Sequence, residues 1–162
     1  MSDTPTEKLL PQGLQDMLSA HRKYTSQANY INNEIIDSDM KTLHLPLKAQ
    51  WYEMIESLIK PEEYRGITAY WIVRLFRDEN GRKISRLTAN FLASNIEILK
   101  WWIESGKLVF KPFDFAKFSY GYTKRTMTFE IESITIGKGK PEWGAPTEDV
   151  FVIKIGKRIK QN

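Results

Sequence analysis

The stretch that decides the fold runs from residue 42 to residue 65 and reads TLHLPLKAQWYEMIESLIKPEEYR. It opens with leucine at every second position, Leu43, Leu45 and Leu47, which is the spacing of a β-strand with one buried face. Pro46 lies inside this segment and cannot donate a ladder hydrogen bond to a neighbouring strand. The sequence therefore predicts a short strand that lies at the edge of a sheet or ends at the proline.

A helix is predicted next, over residues 48–59. Its apolar face consists of residues at helical spacing, namely Trp51, Met54, Ile55, Leu58 and Ile59. Pro61 disfavours helical backbone at the residue before it, so we expect the helix to stop at about Lys60. The charged segment at residues 60–65, Lys-Pro-Glu-Glu-Tyr-Arg, is then presented on a turn or at the start of a strand.

The middle of the chain predicts further helices. Residues 67–76 fit either a helix capped by Thr68 or a strand. Residues 78–81, Asp-Glu-Asn-Gly, predict a turn. Residues 86–105 carry the strongest helical pattern in the chain, with one continuous apolar stripe, and Gly106 supplies the stop.

After Gly106 the chain is typical of β-structure. Residues 108–110 and 113–118 are strand-like. The alternation of apolar residues over 127–136 changes phase by one residue, which predicts a β-bulge near residues 132 and 133. A bulge at this place would help a sheet to curl.

The last strand is predicted at residues 150–155, which are apolar on both faces except for Lys154. This composition is typical of a central strand. A strand, several helices and then several antiparallel strands make an α+β order, so we predict a curled sheet with helices over its openings.

Composition indicates one globular domain. The chain has 162 residues, of which 41% are hydrophobic and 12% are aromatic, enough for one core. Residues 1–41 are polar, and we predict a partly ordered N-terminal arm before a folded domain at residues 42–162. No apolar run approaches the roughly 20 residues of a membrane span, and the N-terminus lacks a secretory signal.

Cysteine is absent and only two histidines are present. A disulfide framework, a thiolate nucleophile and a cysteine-based zinc site are therefore excluded, and we expect neither a metal site nor a cofactor. We also expect a cytoplasmic location without membrane contact. The net charge of +4 is compatible with a polyanionic partner, but taken alone it favours a solubilising surface charge.

Lys60, Glu63 and Arg65 form the first candidate site. In an extended segment Glu63 and Arg65 point to the same side, with Lys60 just upstream. Such a group could bind phosphate, or the lysine could donate a proton to a leaving amine. The alternative is a solvated charge cluster in which Lys60 only complements the helix dipole, and spacing alone favours this alternative.

Two later segments could add to the site. Tyr120 and Tyr122 flank a glycine and precede Lys124 and Arg125, so they could stack on and clamp a nucleotide. The alternative is a turn at a strand end with one tyrosine packed. In the loop at residues 142–144, Glu-Trp-Gly, the tryptophan could wall a pocket or instead plug one end of a barrel.

The segments quoted above resemble the ASCH family. The family hallmark, Gly-x-Lys-x-x-Glu-x-Arg after a helix, is matched by Lys60, Glu63 and Arg65, while Leu58 stands at the glycine position. Residues 118–122 (FSYGY) and the loop and strand at 141–156 resemble a phage and gut-bacterial branch of the family. The resemblance covers most of residues 42–156, with the helices around 84–106 as an insertion.

The resemblance implies a PUA-like fold, which is a small curled β-barrel with flanking helices. It also implies that RNA or a modified nucleoside binds in a cleft at the Lys-x-x-Glu-x-Arg motif. We expect the ligand to contact residues of all three segments: Lys60, Glu63, Arg65, Tyr120, Tyr122, Lys124 and Trp143.

One branch of the family hydrolyses the acetyl amide of acetylcytidine with a motif lysine, a threonine and a downstream acid. Lys60 matches that lysine, but Glu63 occupies the place of the threonine. An alternative function is therefore a small amidohydrolase for acylated nucleosides such as acetylcytidine. Lys60 would polarise or protonate the substrate, and Glu63 or Glu142 would activate water. A third hypothesis is an accessory protein that binds another protein through the N-terminal arm.

Overall fold

A computed structural model describes residues 42–160. The predicted N-terminal arm and the last two residues lie outside this range. The described part contains four α-helices: α1 (Ala49–Glu56), α2 (Ala69–Leu75), α3 (Arg86–Ala93) and α4 (Ile96–Glu104). It also contains seven strands: β1 (Thr42–Leu47), β2 (Glu62–Gly66), β3 (Phe76–Asp78), β4 (Leu108–Phe110), β5 (Phe115–Tyr120), β6 (Thr126–Gly137) and β7 (Val150–Ile159).

Five strands form a strongly curled half-barrel in the order β1-β5-β6-β7-β2. Strands β1 and β5 are parallel, and the other neighbours in this sheet are antiparallel. Strands β3 and β4 form a separate antiparallel pair. The predicted α+β class is therefore confirmed, as is the curled sheet.

The edges and the bulge of the sheet agree with the sequence pattern. Strand β1, which contains Pro46, lies at one edge, and β7 lies between β6 and β2 as predicted. The pairing of β6 with β7 shifts register between Phe129 and Ser133, which confirms the bulge. The second edge is β2, the strand that carries Glu63 and Arg65.

One core cluster lies inside the curl of the sheet. The leucines of β1 are buried there together with aromatic side chains of β5, β6 and β7. Helix α1 contributes Tyr52 and Ile55, and α2 contributes Ile72 and Leu75. Burial of this apolar surface is the main favourable term in folding. The core therefore fixes α1 and α2 against the sheet. In the sequence, α1 precedes strand β2 and α2 follows it.

The helix predicted to continue to residue 59 ends earlier, at Glu56. Leu58 has a φ of +61°, in the left-handed region, which takes the chain out of the helix before Pro61. Leu58 and Ile59 are consequently 71% and 60% exposed instead of packed. The predicted boundary was wrong because the side-chain pattern does not report a change of backbone handedness.

Residues 86–105 were predicted as one helix, which was also wrong, because α3 and α4 are separated at Ser94 and Asn95. The side-chain Nδ2 of Asn95 donates to the Phe91 carbonyl at 2.7 Å, a local hydrogen bond of the kind that competes with helical pairing. The ambiguous segment 67–76 contains helix α2, and the Thr68 hydroxyl accepts from the Trp71 N–H at 3.4 Å. Within residues 42–160, every helix is too short or too polar to cross a bilayer.

Candidate functional site

The turn between α1 and β2 determines where Lys60 lies. The N–H groups of Ile59 and Lys60 both donate to the Met54 carbonyl, at 2.9 and 3.1 Å. Together with the left-handed backbone at Leu58, these bonds direct the Lys60 side chain into the protein, where it is only 2% exposed. A lysine at the end of an exposed helix would instead keep its ammonium group in water.

Glu63 links the two cations of the motif. Its Oε2 lies 2.6 Å from the Lys60 Nζ, and its Oε1 accepts a hydrogen bond from the Arg65 Nη1. Glu63 is itself only 4% exposed. The prediction of a solvated charge cluster is therefore wrong: the three residues form a buried ion network with an excess positive charge.

Aromatic rings surround this network. The Lys60 Nζ lies 4.9 Å from the centre of the Trp51 ring and 5.3 Å from that of Tyr64. The Arg65 guanidinium lies 5.3 Å from the centre of the Trp71 ring. These distances are within the range of cation–π attraction, which strengthens when the cation is desolvated.

Arg65 connects the two edges of the curled sheet. It lies on edge strand β2, and its Nη2 donates to the Pro46 carbonyl of edge strand β1 at 3.1 Å. Its Nη1 also donates to the Tyr64 carbonyl at 2.7 Å. The guanidinium group is therefore fixed by backbone acceptors and by Glu63, at the gap where the half-barrel stays open.

The loop that follows β6 packs against the same rings. Gly144 has a φ of +88°, and a Cβ atom there would lie 2.6 Å from the Trp51 ring. The Lys140 N–H donates to the Tyr64 hydroxyl at 3.0 Å. Trp143 is half-buried against Tyr64 in a small apolar cluster. The structure thus brings Trp143 to the cluster that contains Tyr64, one of the rings beside Lys60, whereas Glu142 is exposed.

Tyr64 is the residue that joins the loop to the motif. Its hydroxyl donates to Glu62 Oε1 at 2.5 Å and accepts from Lys140. Burial raises the pKa of the Tyr64 phenol well above its ordinary value, and the hydrogen bond to Glu62 raises it further. The ring therefore remains neutral throughout the physiological range.

The second predicted segment is only partly near other candidate residues. Tyr120 makes an edge-to-face contact with Tyr52, at 5.3 Å between ring centres, and the Arg125 guanidinium lies 5.1 Å from both rings. Tyr122 is 99% exposed, and Lys124 is exposed in the same turn. The alternative prediction, a turn with one packed tyrosine, agrees with this geometry.

Sequence reasoning missed Trp51 and Trp71 as parts of the site. The sequence places Trp51 on the apolar face of a helix and Trp71 in a segment that fits either a helix or a strand. Trp71 lies in α2, and its ring faces Arg65 and also Arg74, whose guanidinium is 5.9 Å from the ring centre. The only sequence signal for Trp71 is that it lies six residues after Arg65. This spacing indicates a contact only if α2 folds back onto the motif.

Comparisons of the chain with family models, with curated proteins and with solved structures found no match. The ASCH resemblance stays a prediction from the motif residues. The chemistry of the site follows from its own geometry: a fixed guanidinium at a sheet edge, facing the half-buried indole of Trp71. Such a group can bind a planar polar ligand by stacking and by hydrogen bonds.

Proposed function

We propose that the chain is an ASCH-like, PUA-like domain that binds RNA or a modified nucleoside at its Lys-x-x-Glu-x-Arg motif. The observation that carries the proposal is the buried network in which Glu63 joins Lys60 to Arg65. A buried ion network is weak as a stabilising device, because apolar residues of the same volume stabilise equally well or better. Function is therefore the better reason for its presence.

The conformation of Leu58 supports the likeness to the ASCH motif. The family hallmark has glycine at this position, and glycine is the residue that adopts a positive φ without steric cost. Leu58 adopts a φ of +61° although it is not glycine. Among residues 42–160 it is the only residue other than glycine with a positive φ. A glycine at position 58 would favour this backbone conformation, so the turn is compatible with the family hallmark.

Each motif residue has a separate part in the proposed binding. Arg65 and the half-buried rings of Trp51 and Trp71 contact the ligand, because Arg65 lies between the two sheet edges and each ring lies against a cation of the motif. Lys60 and Glu63 are positioning residues, because both are almost fully buried: Glu63 holds the Arg65 guanidinium, and Lys60 holds the other oxygen of Glu63. A base that stacks on an indole gains about 1–3 kcal/mol of binding free energy without sequence preference.

Hydrolysis of an acylated nucleoside is supported less well than binding. Both carboxylate oxygens of Glu63 accept from cations, so this residue is a poor base for activating water. Glu142 is exposed to solvent. Lys60 does lie beside a carboxylate, so proton transfer at this pair is the one feature that keeps the amidohydrolase as an alternative.

Titration calorimetry with acetylcytidine, cytidine and a short single-stranded RNA tests the proposal. We expect at least one of these ligands to bind the wild type at low salt. The variant Arg65→Gln should weaken that binding about tenfold or more, as loss of a charge-assisted hydrogen bond does. The matched control is Arg82→Gln, which changes the same charge at an exposed turn. Absence of binding by all three ligands would refute the proposal.

The same samples test the alternative function. Wild-type protein is incubated with acetylcytidine, and the formation of cytidine is followed by chromatography. Turnover above that of a Lys60→Met variant would favour the amidohydrolase over simple binding.

A further inference from the structure

A cavity of about 750 Å³ lies beside the proposed site, between α2, β3, the start of α3 and the residue after β4. Its walls carry five cationic side chains and no acidic one: Arg74, Arg77, Lys83, Arg86 and Lys111. The volume is within the range of about 300–1,000 Å³ that is usual for small-molecule sites. The cavity is therefore large enough for several anionic groups.

The positive charge of this cavity is not neutralised by the described part of the chain. Among residues 42–160, none of the five cations forms an ion pair with a carboxylate. The Nε of Arg74 is buried and has no hydrogen-bond partner among the described atoms. Buried donors in folded proteins nearly always have a partner, so an unpaired one needs an explanation.

Lys111 shows the same excess of positive charge. Its Nζ donates to the Val73 carbonyl at 3.2 Å, and its side chain is partly buried. Burial lowers the pKa of Lys111, and the nearby Arg77, Arg74 and Lys83 lower it further. An anion in the cavity would reverse this effect by favouring the charged form of the lysine.

The start of α3 adds a further attraction for anions. Ser85, the N-cap residue, and Arg86, the first residue of the helix, both line the cavity. The N-terminal end of a helix carries a partial positive charge and N–H groups without intrahelical partners. The helix end adds to the attraction for anions, but the five cations contribute most of it.

We propose that this cavity binds the phosphate groups of a phosphorylated ligand. Phosphate matches clustered arginines, because its oxygens accept paired hydrogen bonds from guanidinium groups. Tyr70 in the wall of the cavity contacts Trp71 edge to face, at 5.0 Å between ring centres. Trp71 in turn contacts Arg65 and Arg74. One aromatic surface thus joins the phosphate cavity to the motif site, and a nucleotide chain could occupy both.

Two probes separate the sources of phosphate. Tripolyphosphate carries phosphate without a base, and a fluorescein-labelled oligouridine of ten nucleotides carries backbone phosphates. The test variant is Lys83→Glu/Arg86→Glu in the full chain, since both side chains are exposed and these changes should not disturb the core. The matched control, Lys107→Glu/Lys157→Glu, changes the net charge equally at exposed positions away from the cavity.

We expect the test variant to lose about tenfold or more in affinity for tripolyphosphate, because charge-assisted hydrogen bonds to phosphate are lost. The control should lose no more than about twofold, as expected from long-range screening. If the oligouridine follows the same pattern, the bound phosphates are those of a nucleic-acid backbone. If only tripolyphosphate does, the ligand is a free phosphorylated molecule. Equal losses in the test and control variants, or no tripolyphosphate binding in the wild type, would overturn the proposal.

This inference stands apart from the function proposed for the motif. A nucleoside has a base and no phosphate, so it reports on Arg65, whereas tripolyphosphate reports on the cavity alone. Loss of tripolyphosphate binding in the Lys83→Glu/Arg86→Glu variant with unchanged nucleoside binding separates the two sites. The failure of either proposal leaves the other with its own readout.

Discussion

The Lys60 Nζ lies 2.6 Å from the Glu63 Oε2 in a setting where both side chains are almost completely removed from water. Two opposite charges that are both buried stabilise each other. Removal of one lowers the free energy of unfolding, because the other charge is then buried without a partner. Arg65 holds the second oxygen of the same carboxylate. Glu63 is therefore the central member of the network, because its carboxylate pairs with both cations.

Substitutions in this network should lower the free energy of unfolding by different amounts, because only some of them leave a buried charge without a partner. Glu63→Leu leaves Lys60 buried without a carboxylate, and we expect a loss of about 3–5 kcal/mol in the free energy of unfolding. Lys60→Met keeps a similar volume and leaves Glu63 paired with Arg65, so its loss should be clearly smaller. Urea denaturation of the two variants measures the difference. An equal or larger loss for Lys60→Met would contradict the central position of Glu63.

Leu58→Gly should stabilise the protein. Leu58 is 71% exposed, so its removal sacrifices little packing, and glycine relieves a left-handed strain of about 1–2 kcal/mol. The greater freedom of glycine in the unfolded chain offsets part of this gain, at about 0.5–1 kcal/mol. We therefore expect a net increase of several tenths to about 1 kcal/mol in the free energy of unfolding.

The neighbouring residue supplies the control for Leu58. Ile59 is 60% exposed and has no positive φ, so Ile59→Gly adds unfolded-state freedom without relieving strain. This variant should be less stable than the wild type, as measured by thermal and urea unfolding. Destabilisation of both variants to the same extent would show that the left-handed backbone at residue 58 carries no strain.

Those parts of the fold that depend on local periodicity could be predicted from the sequence. Leu43, Leu45 and Leu47 alternate along the chain and are all buried in β1. The phase change before Ile134 reported the bulge in β6, because a side-chain pattern of period two records every change of register. Pro46 correctly indicated an edge strand, since its missing N–H cannot take part in an interior ladder.

The contacts that build the site could not be predicted, because they join residues through tertiary structure. The hydrogen bond from Arg65 to the Pro46 carbonyl spans 19 residues and requires the two sheet edges to approach each other. The proximity of Trp71 to Arg65 requires α2 to fold back. The motif identified the three residues of the network. It did not predict that Lys60 is buried, because this burial depends on the turn at Leu58, which no side-chain pattern encodes.

Stability should fall at alkaline pH through Tyr64. The folded state raises the pKa of this phenol, whereas an unfolded tyrosine ionises near pH 10. The contribution of Tyr64 is therefore complete below about pH 10 and is lost as the pH rises toward the folded pKa, because the unfolded state then releases a proton that the folded state retains. Tyr64→Phe removes this pH-dependent contribution. The difference in the free energy of unfolding between the wild type and the variant should therefore decrease from pH 9 to pH 11.

Tyr122→Phe is the matched control for this titration, because Tyr122 is 99% exposed. Its stability relative to the wild type should stay constant over the same pH range. Urea unfolding at several pH values measures both differences, and lysine deprotonation cancels since it is common to all three proteins. A constant difference for Tyr64→Phe as well would contradict the assigned effect of burial on the phenol.

Gly144→Ala should disturb the site more than any glycine substitution in an open turn. An added Cβ would lie 2.6 Å from the Trp51 ring, and the backbone φ of +88° disfavours any other residue. We expect a loss of about 2–5 kcal/mol, as the sum of overpacking and backbone strain. Because Trp51 borders Lys60, the variant should also bind nucleosides more weakly than the wild type.

Gly81→Ala separates the two causes of that loss. Gly81 also has a positive φ, of +76°, but a Cβ atom added there would meet no atom of residues 42–160 within 4 Å apart from its chain neighbours, so only the backbone strain of about 1–2 kcal/mol applies. Urea unfolding should therefore rank the wild type first, Gly81→Ala second and Gly144→Ala last. Equal losses in the two variants would mean that the loop moves away from Trp51 without cost. The loop would then not hold the indole in place at the motif site.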